Sequence, residues 1–165
     1  MDLNVLRTIL NILEIPIPKS GEWPREDLRY AQGMVYLFQN KLYGADVLYS
    51  CGMYLHGPFS TDLSKDLYAL LEQKDAIYMG LSTDAGNAAN ETKWFVDSFC
   101  EHHKSMPRKE ATDYLFKVLY FAKRYSESKR VDEALKEFGI KKRITKRTID
   151  DLYHNKFIKN KEKEL

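Results

Sequence analysis

The chain has 165 residues, 26 Lys and Arg against 24 Asp and Glu, and a formal net charge of +2. Its 44% hydrophobic and 30% charged residues are ordinary for a folded globular protein and exclude a wholly disordered chain. Two cysteines, Cys51 and Cys100, are too few for a disulfide framework. No run approaches the roughly 18 apolar residues of a membrane span. The start, Met1-Asp2-Leu3-Asn4, has neither a basic region nor a long apolar run, so the expectation is a cytoplasmic protein.

Leu3, Leu6, Leu10 and Leu13 fall at helical spacing, and Pro16 and Pro18 stop that first helix. Turn residues fill 18–24. Leu28, Ala31, Val35, Phe38 and Leu42 then mark a second helix ending near Gly44. Alternation over 47–55 predicts a strand with Val47, Tyr49, Cys51, Met53 and Leu55 on one face, ended by Gly57-Pro58. Ser60 is a good N-cap for a helix whose buried stripe is Leu63, Leu67, Leu70 and Leu71.

Ala76-Ile77-Tyr78-Met79-Gly80-Leu81 reads as a second short strand able to pair with the first, and the small polar stretch 82–90 as a mobile loop. Trp94, Phe95, Val96, Phe99 and Cys100 indicate a buried helix, with Pro107 opening the next. Ala111, Leu115, Val118, Ala122 and Tyr125 have the cleanest helical period and predict a central helix. Val131, Leu135 and Phe138 make a short helix ended by Gly139. Ile149, Leu152, Tyr153 and Phe157 make the last one, with Thr148 and Asp151 as a variant capping box. The expected architecture is mainly α with a small β-sheet, a single domain over 1–165 of about six or seven helices.

Charge is unevenly distributed. Residues 1–128 carry 14 Lys and Arg against 17 Asp and Glu, whereas 129–165 carry 12 against 7. A slightly acidic helical body thus bears basic C-terminal helices over 129–158, and the charged tail 159–165 is expected to fray. Lys141, Lys142, Arg143, Lys146 and Arg147 put five positive groups in seven residues just before a helix start, which suits a nucleic acid backbone without reading its sequence.

Catalytic signatures are lacking: the chain has no phosphate-binding glycine loop, no G-x-S-x-G elbow, no H-E-x-x-H and no C-x-x-C. Cys100, His102 and His103 are the densest group of metal-ligand types, but structural zinc needs four ligands, usually in two spaced pairs. Cys51 with His56 has no nucleophile signature around it. No cofactor, metal or catalytic residue is assigned, and a small hydrolase is the least favoured reading.

The order Met34-Val35-Tyr36-Leu37-Phe38-Gln39, Gly44, Tyr54-Leu55-His56-Gly57-Pro58-Phe59-Ser60 and Asp66-Leu67 resembles the YwgA-like group of small bacterial and archaeal proteins. In that group a "YLLQ" helix precedes a strand ending "Y-x-Y-G-P-Y-S" and a helix reading "L-x-x-D-L". More distantly the pattern is similar to the Panacea, or SocA-like, antitoxin domain. His56 and Phe59 stand where the pattern has tyrosines. The resemblance spans roughly 30–75 and implies a mostly helical domain with a winged-helix-like core, acting as a regulator or as an antitoxin gripping a partner protein. Tyr54, His56, Phe59, Thr61 and Asp62 surround the sharp turn and form the expected protein-contact surface. Two functions follow: a non-enzymatic regulator contacting nucleic acid through its basic segment, or an antitoxin or defence-associated adaptor that binds a toxin or defence component without DNA.

Overall fold

A computed structural model describes residues 1–19, 21–140 and 144–158. Among them are seven helices and one two-stranded antiparallel sheet: α1 (Leu3–Ile12), α2 (Arg25–Tyr43), β1 (Gly52–Tyr54), β2 (Gly57–Phe59), α3 (Thr61–Glu72), α4 (Thr83–His102), α5 (Arg108–Ala122), α6 (Ser128–Glu137) and α7 (Thr145–His154). The protein is therefore mainly α with a small sheet. No helix among the described residues is long and apolar enough to cross a membrane.

Local chemistry sets most boundaries. Asp2 caps α1 by accepting from the Asn4 and Val5 N–H groups. Gly44 ends α2 in the left-handed region at φ 71°, its N–H reaching the Asn40 carbonyl at 2.8 Å. Ser60 Oγ accepts from the Leu63 N–H and starts α3 as expected, and Gly139 follows α6 at φ 75°.

The core is built around α2 and α5. All ten residues from Ala31 to Asn40 are buried, as is the run Tyr114–Leu119. Side chains from all seven helices join one hydrophobic cluster. At the α2–α5 crossing Gly33 lies directly against the buried Phe116 ring, where a methyl group would overlap the ring.

Two glutamines on α2 hold the segment that carries the sheet. Gln39 Nε2 donates to the Tyr49 carbonyl and its Oε1 accepts from the Tyr49 N–H, both at 3.0 Å. Two turns earlier, Gln32 does the same to Ser60, at 3.0 and 2.9 Å. Both side chains are essentially fully buried.

That arrangement corrects the expected strand over 47–55. Tyr49 and Cys51 are buried, but Val47 is 63% exposed, Gln39 and not a neighbouring strand meets the Tyr49 backbone, and Leu55 is 66% exposed in the turn between β1 and β2. The partner of β1 is β2, with Gly52 opposite Phe59 and Tyr54 opposite Gly57. Residues 76–81 form no strand. Ile77, Tyr78 and Met79 are exposed, and the Met79 N–H donates to Thr8 Oγ1.

The expected loop at 82–90 is the first part of α4. Ser82 Oγ caps it by accepting from the Ala85 N–H, and the small buried side chains of Ala88, Ala89 and Thr92 let it pack on α2, outweighing the weak propensity of Gly86, Asn87 and Asn90. Trp94, expected in the core, is 66% exposed. Thr148 and Asp151 make no capping box: Thr148 lies inside α7, buried, its Oγ1 donating to the Ile144 carbonyl at 3.0 Å. Tyr125 is outside α5 and 37% exposed.

Two outcomes test this packing. Gly33→Ala gains up to about 1 kcal/mol of helix propensity but loses roughly 1–3 kcal/mol to overpacking, so thermal unfolding should show a lower Tm; a higher one would refute the close approach. Gln39→Met strands a buried N–H and a buried C=O and should cost roughly 2–4 kcal/mol in a denaturant titration.

Candidate anion-binding groove

The hairpin brings together three of the five residues expected around the turn. Tyr54 and Phe59 are diagonal neighbours on one face, their rings 5.3 Å apart and edge-to-face, and His56 stands exposed in the two-residue turn. Thr61 and Asp62 sit apart from them in the first turn of α3, where Asp62 pairs with Lys65 at 3.2 Å. Of the basic run, Lys141, Lys142 and Arg143 lie outside the described residues, and Lys146 and Arg147 are exposed in the first turn of α7.

Tyr54, His56 and Phe59 form one wall of an apolar cavity of about 350 Å³, closed on the other side by Arg25, Leu28 and Arg29 of α2. Arg29 also lines a second cavity of about 250 Å³ between α2 and α5, with Lys109 and Asp113 opposite. Those two residues in turn line a third, of about 470 Å³, which continues past Lys117 to Gly139 and Ile140. The three cavities adjoin through these shared residues and lie in series as an interrupted groove. It runs from the hairpin along α2 and α5 and ends at Ile140, the residue before Lys141.

Its walls carry Arg25, Arg29, Arg108, Lys109 and Lys117 against Glu26, Asp27, Glu110 and Asp113, so the cations are interspersed with carboxylates. Lys109 is paired with Glu26, and Arg108 with Asp97 at 2.6 Å. Arg29, His56 and Lys117 have no ion-pair partner among the described residues. Lys117 is 7% exposed, and burial lowers its pKa, with Asp113 partly offsetting the shift. Its Nζ lies 5.9 Å from the centre of the Phe138 ring. Burial raises the Asp113 pKa even though Lys117, Lys109, Arg29 and His56 all favour its charged form. His56 is shifted down, first by burial and then by Arg29 and Lys117. The Asp113 carboxylate faces these cations without an ion pair to any of them among the described residues, and it would repel an anion entering the groove.

Nucleophilic chemistry does not gather here. The Cys51 thiol is buried, donates to the Tyr49 carbonyl at 3.6 Å, and is pushed up to about 12 by burial. No group of three or more His, Cys, Asp or Glu that could hold a metal occurs among the described residues. In the cluster weighed as ligands, His102 Nδ1 contacts the Ser98 carbonyl at 2.7 Å and the His103 ring packs on Phe99 at 4.4 Å.

Sequence reasoning missed Arg29, Asp113 and Lys117. A signal was present: Asp113 and Lys117 are charged residues one helical turn apart within the apolar period of α5.

Asp113→Asn separates the two effects of that carboxylate. Its raised pKa means that the folded state holds the proton more tightly than the unfolded chain, so the ionised form opposes folding at neutral pH and ceases to do so below the ordinary value of 3.8. The variant should melt higher than the parent at pH 7, with the two Tm values converging on acidification, and should bind anions more tightly; a lower Tm at pH 7 would contradict the electrostatic account. Compared with protein-family models, with curated proteins and with solved structures, the chain matches none.

Proposed function

We propose that the protein is a non-enzymatic regulator that binds nucleic acid along the α2–α5 groove and the basic residues 141–147. The observation that carries this reading is the groove's lining: it carries His56, Arg29, Lys109 and Lys117 in that order from the hairpin, and its last residue, Ile140, directly precedes the basic run in the sequence. Aromatic side chains at one end suit stacked bases, and the cations among the carboxylates further along, with the basic run, suit phosphates. The contacts are to backbone and ring faces and give no means of reading sequence. The resemblance to the YwgA-like group agrees with a regulatory role.

A specific observation favours a second reading, an antitoxin or adaptor that grips a partner protein. The hairpin end is apolar, with Tyr54 and Leu55 56% and 66% exposed beside Phe59. Exposed aromatic groups on a rigid turn are suited to a protein interface.

Salt dependence separates the two. If five basic groups neutralise phosphates, the slope of log affinity on log salt should be about −3.5 for a single strand. Fluorescence anisotropy with labelled single-stranded and duplex oligonucleotides measures it. Replacing Lys141, Lys142, Arg143, Lys146 and Arg147 by Gln should flatten the slope and abolish binding at physiological salt. Equal affinity in that variant, or no binding of either probe at low salt, would sink the nucleic acid reading.

A further inference from the structure

A second concavity lies between α4 and α7, outside the groove. Its volume is about 380 Å³, within the range of small-molecule sites. The α4 wall carries Trp94, Ser98 and His102, one helical turn apart from each other, and the α7 wall carries Arg147, Asp151 and Asn155 at the same spacing. One wall is therefore aromatic and the other polar.

Each wall has groups left over from the fold. Trp94 presents an indole that is 66% exposed, beside the Phe99 and His103 rings, which pack on each other. His102 Nδ1 lies 2.7 Å from the Ser98 carbonyl and 3.3 Å from its hydroxyl, which holds the ring against α4. Lys41 is committed, bonded to the Asn155 carbonyl at 2.7 Å and paired with Glu91 at 2.5 Å. Arg147 and Asp151 are not paired with each other or with any other charge among the described residues.

A free carboxylate beside a free guanidinium is poorly matched to a bare anion, which Asp151 would repel. It matches a ligand that has both hydrogen-bond donors and a negative group. An amino-bearing nucleobase supplies donors for Asp151 and a flat face for Trp94, and its phosphate supplies the anion for Arg147. We propose that the α4–α7 cavity binds one nucleotide unit, its base stacked on Trp94 and held by Asp151, and its phosphate held by Arg147. The unit is either a free nucleoside phosphate or one residue of a bound strand; only the strand form rests on the nucleic acid reading above.

The two tryptophans make the site directly readable. Trp23 is buried at 3% exposure, its indole N–H donating to the Leu67 carbonyl at 2.8 Å, so solvent-exposed tryptophan emission comes from Trp94. The test titrates the full chain with AMP, GMP, CMP and UMP, with inorganic phosphate, and with a short single-stranded oligonucleotide, following emission and, by calorimetry, affinity. Saturable quenching by a mononucleotide identifies a free-nucleotide site, and quenching by the oligonucleotide alone identifies a strand site. In either case Trp94→Leu should weaken binding about five-fold or more, with Trp94→Phe recovering most of it. Arg147→Gln should remove the preference for a nucleotide over its nucleoside.

The proposal fails if no nucleotide or oligonucleotide quenches saturably, if inorganic phosphate binds as tightly as AMP and GMP, or if Trp94→Leu leaves affinity unchanged. Replacing Arg29, Lys109 and Lys117 by Gln distinguishes this from failure of the groove. That variant should lose oligonucleotide anisotropy while keeping its mononucleotide quenching if the cavity acts by itself.

Discussion

The paired amide bonds of Gln32 and Gln39 are the constraint on which the rest of the arrangement depends. A glutamine side chain has one donor and one acceptor in the same geometry as a peptide unit, so each residue serves α2 as a short strand would, satisfying the N–H and the C=O of one opposing residue. Seven residues apart on a helix, the two amides lie on nearly the same face. They hold Tyr49 and Ser60 against α2, and the ten residues between those anchors carry the hairpin. A sheet of two three-residue strands has little stability of its own. Its position comes from α2.

The legible parts of the fold are those decided by one or two residues. The Ser60 cap, the left-handed Gly44 and the helix stop at Gly139 follow from side-chain reach and backbone freedom, and these rules act locally. The misread parts were decided by distant partners. The alternation over 47–55 is genuine for Tyr49 and Cys51, yet what meets the Tyr49 backbone comes from a helix ten residues earlier. The apolar run at 76–81 looked like a strand and is exposed, and the polar run at 82–90 looked like a loop and packs through its alanines. In both, composition pointed one way and the available packing partner the other.

The groove was divided in the sequence. Its hairpin end was visible through the Gly57-Pro58 turn and its basic end through the run at 141–147, whereas its middle is made by Arg29 on α2 and by Asp113 and Lys117 on α5, 84 or more residues apart. Only the close approach of α2 to α5, permitted by Gly33, puts those charges together. The α4–α7 cavity was hidden for a related reason: an apolar residue in a helical pattern reads as core, and nothing local marks Trp94 as facing outward.

Ser60 gives the hairpin a mechanical character. Its N–H and C=O are both held by Gln32, its hydroxyl caps α3, and it directly follows Phe59 at the aromatic end of the groove. A displacement of Phe59 is therefore resisted by two helices, and one large enough to break the Ser60 contacts would uncap α3 at the same step. The hairpin is a fixed jaw. Movement of the hairpin is thereby coupled to the start of α3.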